Sequence, residues 1–248
     1  MTEFRAYYSG EYDSELIGWC LRLFDVNRLF IDVGANVGFY TTAIAKEIER
    51  KSGSGQVYGY EPHPENYKRL TVNVEQNDLS RYCRIFNFGL SDADCTTQLV
   101  QREDFSMGSL TGNASIEISP NFDKGFTKIL IELHSLDSLV KKGAMNGKTV
   151  DFIKIDIEGH EDYFLRGARE MLHKQRPSLL LEVNKAYYAA RGTDFSNLIS
   201  IELPEAYRLF RHIPGVSTLL AVESLDECQD YEDVFAIPRE KAHAICAS

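Results

Sequence analysis

The sequence predicts a doubly wound α/β fold with a mostly parallel sheet. Short apolar runs rich in β-branched residues alternate with stretches of helical spacing along nearly the whole chain. A glycine turn joins the first apolar run to the first such helical stretch, and no internal repeat or Pro/Ser-rich linker interrupts the alternation. At 248 residues, 44% of them hydrophobic, the chain can form one such domain. We therefore predict an N-terminal helical lead-in over residues 1–27 and a single domain over residues 28–248.

The composition disfavours several classes of partner and site. The net charge is −10 and the longest basic cluster is one pair of lysines, which disfavours nucleic acids and anionic membranes. The first residues lack the apolar core of a signal peptide, and no apolar run approaches the roughly 20 residues that span a bilayer. The five cysteines are scattered without a C-x-x-C pair, so neither a disulfide framework nor a zinc site is indicated. We expect a cytoplasmic protein that acts on a small molecule, and the oligomeric state stays open.

The first predicted elements are a helix, a strand and a second helix. Residues 16–24 suit an amphipathic helix, and residues 29–33 form an apolar run typical of a buried strand. From Phe39 onward the apolar spacing is helical. The N-terminal helix either covers the sheet or helps to shape a substrate pocket with its aromatic neighbours, which are Tyr7, Tyr8, Tyr12 and Trp19.

The turn between the first strand and the second helix predicts the ligand. A strand that enters a helix through glycines exposes backbone N–H groups at the edge of the sheet, where nucleotide-like ligands bind. The turn is Gly34-x-x-x-Gly38 around Asn36, which differs from the G-x-G-x-x-G of dinucleotide sites. The carboxylate of Asp32 would repel a pyrophosphate but suits an amino group. The second predicted strand ends in Glu61, roughly 20 residues after the turn, where a ribose-binding acid is expected. This combination indicates S-adenosylmethionine (SAM), which carries an amino group and a ribose but no phosphate.

The middle of the chain predicts a helix, a third strand and a long loop. Pro64 fits the first position of a helix, and residues 84–90 have the composition of a strand. Ser91 and Asp92 follow that strand and either contact an adenine edge or form an ordinary turn. Residues 102–127 are irregular and long for a connector, so we interpret them as a lid loop, with disorder as the alternative.

The second half of the chain continues the βα alternation. We predict strands over residues 128–133, 150–156, 178–183, 207–210 and 233–238, with helices over residues 136–140, 164–172 and 195–203.

Four motifs together resemble those of the FkbM family of SAM-dependent methyltransferases. They are residues 32–38 (DVGANVG), 60–66 (YEPHPEN), 89–92 (GLSD) and 151–161 (DFIKIDIEGHE), of which the last is the most specific. The resemblance covers about residues 28–184 and fits the tail. It implies the Rossmann-like class I methyltransferase fold, with a mostly parallel seven-stranded sheet whose last strand is antiparallel. It also implies O-methylation of a hydroxyl on a sugar, polyketide or related metabolite.

The resemblance further implies roles for individual residues. Asp32, Gly34, Asn36 and Gly38 would hold the methionine portion of SAM, and Glu61 would hold the ribose hydroxyls. Ser91 and Asp92 would flank the adenine. Asp156, Glu158 and Gly159 would sit at the reacting end. Ser109 matches a small-residue element of the family's mobile loop. His160 stands where the family often has a small or apolar residue.

Three interpretations of the acidic motif stay open. Methyl transfer to a hydroxyl profits from a base, worth about 10²–10⁴ in rate, and His160 or Asp156 could serve. Alternatively, Asp156, Glu158 and Glu182 could bind a divalent cation that orients a diol, although no metal ligand is assigned. The acids at the start of the following helix could also simply complement its dipole.

Other functions remain as alternatives to O-methylation. These are an N-methyltransferase acting on an amine and a non-catalytic SAM-binding scaffold. A nicotinamide-dependent oxidoreductase is disfavoured by the missing G-x-G-x-x-G and by the absence of an evident Tyr-x-x-x-Lys.

Overall fold

The described residues of the computed structural model are 12–101, 114–117, 123–242 and 245. In chain order they form α1 (Ser14–Leu23), β1 (Leu29–Val33), α2 (Phe39–Arg50), β2 (Gln56–Tyr60), α3 (Pro64–Gln76), β3 (Cys83–Phe86), β4 (Gly89–Ser91), β5 (Cys95–Gln101), β6 (Ala114–Ile116), β7 (Thr127–Ser135), α4 (Leu136–Lys141), β8 (Val150–Ile155), α5 (Glu161–Gly167), α6 (Arg169–Gln175), β9 (Ser178–Asn184), α7 (Lys185–Ala190), α8 (Phe195–Glu202), β10 (Tyr207–Arg211), β11 (Leu220–Val222), a 3₁₀ turn (Leu225–Glu227), β12 (Tyr231–Pro238) and α9 (Arg239–Ala242).

An eight-stranded sheet with the order β11-β10-β12-β9-β8-β1-β2-β3 organises the fold. The five strands from β9 to β3 pair in parallel, and β12 runs antiparallel to both of its neighbours. The predicted doubly wound α/β fold with an antiparallel last strand is therefore confirmed. The predicted number of seven strands is one too few, because the three residues of β11 add an edge strand antiparallel to β10.

The central strands are buried on both faces, as parallel strands covered by helices should be. All five residues of β1 and all six of β8 are buried. Their side chains alternate between two hydrophobic clusters: Ile31 and Ile153 pack on one face, and Phe30 and Phe152 on the other. The rings of Phe30 and Phe152 stack with centroids 5.2 Å apart. This double burial fixes the carboxyl ends of β1 and β8 side by side.

A second sheet, with the order β4-β7-β5-β6, was not predicted. The run interpreted as one strand over residues 84–90 is divided, because β3 stays in the main sheet while β4 pairs in parallel with β7. Asn87 lies at the break, and its side-chain Nδ2 donates to the carbonyl oxygens of Glu61 (2.9 Å) and Pro62 (3.2 Å). That contact ties the break to the end of β2 and directs β4 out of the main sheet.

The predicted lid loop is described only in part. Residues 102–113, which include Ser109, and residues 118–122 lie outside the described residues, so the lid stays a prediction. Residues 114–116 form β6, antiparallel to β5, and the interpretation of this part as irregular is wrong. β6 forms because it pairs with β5, where Leu99 lies opposite Ile116. The sequence did not predict this strand, because an edge strand of three residues has too short a pattern to recognise.

Within the described part of the chain, no helix has both the length and the apolar character needed to cross a bilayer.

Candidate functional site

A cleft of about 210 Å³ opens at the carboxyl ends of β1, β2, β8 and β9, where parallel sheets bind their ligands. The second sheet forms the facing wall through apolar residues such as Leu99 and Ile131. Of the residues predicted to form a site, those that line the cleft are Gly34, Asn36, Glu61, Asp156, Glu158 and His160.

The glycine turn can be built only with glycine at its first position. Gly34 has a φ of +75°, and a Cβ there would lie 1.9 Å from the carbonyl oxygen of Asp156. The amides of Gly34 and Ala35 both donate to the carbonyl oxygen of Tyr60, at 3.0 and 3.1 Å. The turn is thereby held against the ends of β8 and β2. Asn36 follows with a φ of +51°, and its buried side-chain Oδ1 has no hydrogen-bond partner among the described residues.

Glu61 joins the glycine turn to the end of β2. One carboxylate oxygen accepts a hydrogen bond from the amide of Asn36 at 2.7 Å, and the other accepts one from the amide of His63 at 2.8 Å. The side chain is buried at the floor of the cleft, and this burial raises the pKa of Glu61 to about 7. The predicted ribose-binding acid is therefore in the cleft and fixed in orientation by backbone donors.

Asp32 lies behind the turn and has no exposure to the cleft. Its Oδ2 accepts a 2.6 Å hydrogen bond from the hydroxyl of Thr41, and its Oδ1 lies 3.8 Å from Nζ of Lys154. The geometry does not favour the expectation that the Asp32 carboxylate touches the methionine amino group directly. It favours a positioning role, in which Asp32 links β1, α2 and β8 beneath the turn.

Lys154 is a buried cation at the site that was not predicted from the sequence. Its Nζ lies 2.9 Å from Oδ2 of Asp156 and donates to the carbonyl oxygen of Gly34 at 3.2 Å. Burial lowers the pKa of Lys154, but the charges of Asp156 and Asp32 outweigh that effect and hold the pKa above its usual value. A lysine within the mostly apolar β8 is the signal that could have revealed it, since a buried lysine needs partners.

His160 lies on the side of the cleft where the adenine was predicted. Its Nε2 is 2.9 Å from the hydroxyl of Ser91, and its ring stacks on Tyr163 with centroids 4.3 Å apart. Burial lowers the pKa of His160 to about 4, so the ring is neutral at pH 7. Ser91 and Asp92 do not line the cleft themselves; Asp92 pairs with Arg166 at 3.2 Å. The structure thus groups His160 with Ser91.

Three carboxylates meet where β8 and β9 end. Asp156, Glu158 and Glu182 each offer one oxygen, and these atoms lie within 4.8 Å of one another. Glu182 is only 5% exposed, and its Oε2 has no hydrogen-bond partner among the described residues. Burial, and then the nearby charges of Asp156 and Glu158, raise the pKa of Glu182 well above its usual value. The predicted acidic cluster is therefore formed, and Glu182 is its most enclosed member.

The turn that carries Glu158 is held from beneath by Glu161. Its Oε1 accepts from the amides of Ile157 (3.3 Å) and Gly159 (3.2 Å), and its Oε2 accepts from the hydroxyl of Tyr188 at 2.8 Å. Glu158 itself has a φ of +54°, which is uncommon for a residue with a side chain. Glu161 therefore stabilises the turn through hydrogen bonds, in addition to any effect on the helix dipole.

The aromatic residues of the lead-in differ in their positions. Tyr12 lines the cleft and stacks on Phe39 with centroids 4.4 Å apart, whereas Trp19 is buried in the core. Tyr7 and Tyr8 lie outside the described residues. Tyr231, the first residue of β12, also lines the cleft. It was not predicted, because the end of an antiparallel strand carries no motif.

The family model and the two curated relatives that match this chain are methyltransferases. The Methyltransferase FkbM domain matches residues 32–210. Methyltransferase sdnD of Sordaria araneosa is 24% identical over 168 residues, which cover 58% of this chain and 61% of that protein. Hexuronic acid methyltransferase AglP of Haloferax volcanii is 29% identical over 147 residues, which cover 57% of this chain and 50% of that protein.

A solved structure shares the fold. The crystal structure of Methyltransferase FkbM from Methylobacillus flagellatus aligns with a TM-score of 0.53 and 17% identity, over 92% of this chain and 47% of that one. This chain therefore spans between about half and three fifths of the length of these relatives. The fold is that of the class I methyltransferases. Since the domain match covers more than half of the chain, the chain belongs to the FkbM methyltransferase family.

Proposed function

We propose that this protein is a SAM-dependent methyltransferase that methylates a hydroxyl group of a sugar or a related small metabolite. The observation that carries the proposal is the meeting of three features in one cleft. These are the glycine turn at Gly34, the backbone-held carboxylate of Glu61, and the carboxylates that follow β8.

The residues of the cleft fit the chemical groups of SAM. The ends of β1 and β8 offer the turn at Gly34 and the buried, unpartnered Oδ1 of Asn36 to the methionine portion. Glu61 would accept hydrogen bonds from the ribose hydroxyls, and Ser91 with His160 would border the adenine. The acidic wall complements the positive charges of the amino group and the sulfonium. When bound, SAM supplies a methyl group already activated by its sulfonium.

The chain itself mainly has to align the acceptor. Holding a hydroxyl oxygen about 3 Å from the methyl carbon can contribute several kcal/mol to catalysis. Asp156 and Glu158 stand where the acceptor would enter, and either carboxylate can take the hydroxyl proton. We assign this role to the carboxylates and not to His160, because Nε2 of His160 is engaged with Ser91. A sugar-like acceptor is supported by the name of the Haloferax volcanii relative, a hexuronic acid methyltransferase.

Calorimetric titration with S-adenosylhomocysteine, beside NAD, tests the donor. We expect micromolar binding of S-adenosylhomocysteine and none of NAD. Binding of NAD alone would overturn the proposal in favour of an oxidoreductase, and binding of neither would overturn the assignment of this cleft to SAM.

Transfer of a labelled methyl group from SAM to a panel of acceptors tests the rest. The panel pairs uronic acids and neutral sugars with amino sugars whose hydroxyls are blocked. We expect label on the hydroxylated members. Label confined to the blocked amino sugars would change the assignment from O- to N-methylation.

A further inference from the structure

We propose that Asp156, Glu158 and Glu182 bind a hard divalent cation, Mg²⁺ or Mn²⁺, which holds the acceptor hydroxyl beside the reacting methyl group. The inference deepens the proposed function and rests on it, since the cation would act in the same cleft. It assigns to Glu182 a role as ligand, in addition to the two acids of the β8 motif.

The arrangement of the three carboxylates is close to what a small cation requires. Their ligand atoms lie within 4.8 Å of one another. Asp156 and Glu158 belong to the turn after β8, and Glu182 belongs to the neighbouring parallel strand β9. Octahedral ligands at about 2.1 Å from Mg²⁺ stand about 3 Å apart when adjacent and about 4 Å apart when opposite. Side-chain shifts of less than about 1 Å at the half-exposed Asp156 and Glu158 would bring the three ligand atoms to the octahedral spacing.

Glu182 provides the second, independent observation. It is 5% exposed, lines the cleft, and its Oε2 is buried without a hydrogen-bond partner among the described residues. A buried oxygen left without a donor costs about 1–3 kcal/mol, and a cation in the cluster would remove that cost.

The charges around the cluster also favour the binding of a cation. Lys154 is the ammonium in contact with the cluster among the described residues, and it is bound to Asp156 at 2.9 Å and lies near Asp32 at 3.8 Å. One lysine is therefore shared by two aspartates. Carboxylate oxygens are the preferred ligands of a hard divalent ion.

Three protein ligands out of six leave positions for water and for two acceptor oxygens. A vicinal diol, or a hydroxyl beside a carboxylate, would fill two of them. In the transfer, the acceptor oxygen forms a bond to the methyl carbon as the sulfur–carbon bond breaks. The sulfonium becomes a neutral thioether. With the cation bound, Asp156 and Glu158 act as ligands in place of acting as the base, and the hydroxyl proton leaves to water. The role of the cluster is to orient the oxygen and lower the pKa of the hydroxyl.

Titration of the chelator-treated full chain with Mn²⁺, followed by the electron paramagnetic resonance signal of free Mn²⁺, tests the inference. We expect one site, weakened at least about tenfold by Glu182→Gln. Because Glu182 is buried, Glu158→Gln repeats the test at a half-exposed position with less risk to folding. Glu132→Gln is the matched control, since its side chain is 73% exposed on β7.

A parallel titration with S-adenosylhomocysteine separates this inference from the proposed function. Mn²⁺ binding lost in both cluster variants and kept in Glu132→Gln supports the cation site. A chain that binds S-adenosylhomocysteine but no Mn²⁺, or whose Mn²⁺ site survives both cluster variants, overturns the cation site and leaves the proposed function standing. Failure to bind S-adenosylhomocysteine overturns the proposed function instead.

Discussion

Glu61 connects the two turns that line the cleft after β1 and β2, through backbone donors. Both of its oxygens are used, by Asn36 and His63, and burial raises its pKa to about 7. The ribose hydroxyls of a bound ligand would donate to the ionised form. Glu61 is therefore the residue through which pH should control cofactor affinity.

The affinity for S-adenosylhomocysteine should fall as the pH drops below about 7. The ligand prefers ionised Glu61, and protonation of a group with a pKa of about 7 lowers the association constant by up to tenfold per pH unit below that value. Above pH 7 the affinity should level off. Calorimetry between pH 5.5 and 8.5 measures the profile. Glu61→Gln should bind weakly with a flat profile, and a variant that keeps the slope would contradict the role of Glu61.

His160→Ala should weaken cofactor binding more than it slows the chemistry. The ring contacts Ser91 at 2.9 Å, on the predicted adenine side of the cleft. We expect S-adenosylhomocysteine affinity to fall about fivefold to tenfold, which corresponds to roughly 1 kcal/mol for a neutral hydrogen bond. Turnover at saturating SAM should change little. If turnover collapses while S-adenosylhomocysteine affinity is kept, His160 is the base after all.

Lys154→Met should destabilise the fold by about 3–5 kcal/mol, because it leaves buried Asp32 and its neighbour Asp156 without their cation. Urea denaturation measures the change. Lys142→Met is the control: its ion pair with Asp94 is exposed, so we expect a loss of at most about 1 kcal/mol. Equal losses in the two variants would refute the special position of Lys154.

At the scale of elements, α5 sets the position of the Ser91 turn. The helix packs against β4, and a Cβ on Gly167 would lie 1.9 Å from the carbonyl oxygen of Ser91. Backbone-to-backbone approach of this kind tolerates only glycine. The turn after β8 and the turn after β4 are therefore brought together by one helix.

Gly167→Ala should destabilise the protein by about 2 kcal/mol or more, since α5 must move away from β4. Gly18→Ala is the matched substitution in α1, where a Cβ meets nothing within 4 Å, and should instead stabilise by about 0.5–1 kcal/mol. Thermal and urea denaturation compare the two. If both substitutions stabilise the protein, helix propensity, and not the contact with Ser91, determines the effect of the substitution at Gly167.

At the scale of the whole molecule, the cleft lies between the main sheet and the second sheet. Its lining comes from β1, β2, β8 and β9 on one side and from β5, β6 and β7 on the other. A ligand held in the cleft therefore contacts both sheets, and its binding should stabilise the entire fold.

S-adenosylhomocysteine at about one hundred times its Kd should raise the melting temperature by about 5–10 °C. Binding to the native state alone contributes about 2.7 kcal/mol at that ratio, and 1 kcal/mol corresponds to about 2–4 °C for a chain of this size. Scanning calorimetry with and without the ligand measures the shift, and NAD at the same concentration serves as the control. A shift of less than 1 °C would contradict a cleft bridged by the ligand.

Local patterns in the sequence determined the parallel core and the ligand-facing turns. Residues 29–33 and 150–155 are apolar enough to be central strands, and a strand–glycine–helix order places their ends at one edge of a sheet. Gly34, Asn36, Glu61, Asp156 and Glu158 could therefore be predicted to meet, and they do line one cleft. The family could also be predicted, because the four motifs that resemble FkbM proteins are local patterns.

Only the tertiary structure decided how those residues divide their tasks. The carboxylate of Asp32 could point into the cleft or back toward Lys154, and the spacing of residues in the sequence does not distinguish the two. The structure places it beside Lys154. The division of residues 84–90 into β3 and β4, the pairing of β6, and the meeting of Ser91 with His160 all depend on contacts between residues distant in the chain. Local sequence patterns set which segments become strands and helices, whereas burial and partner choice are settled by packing among remote segments.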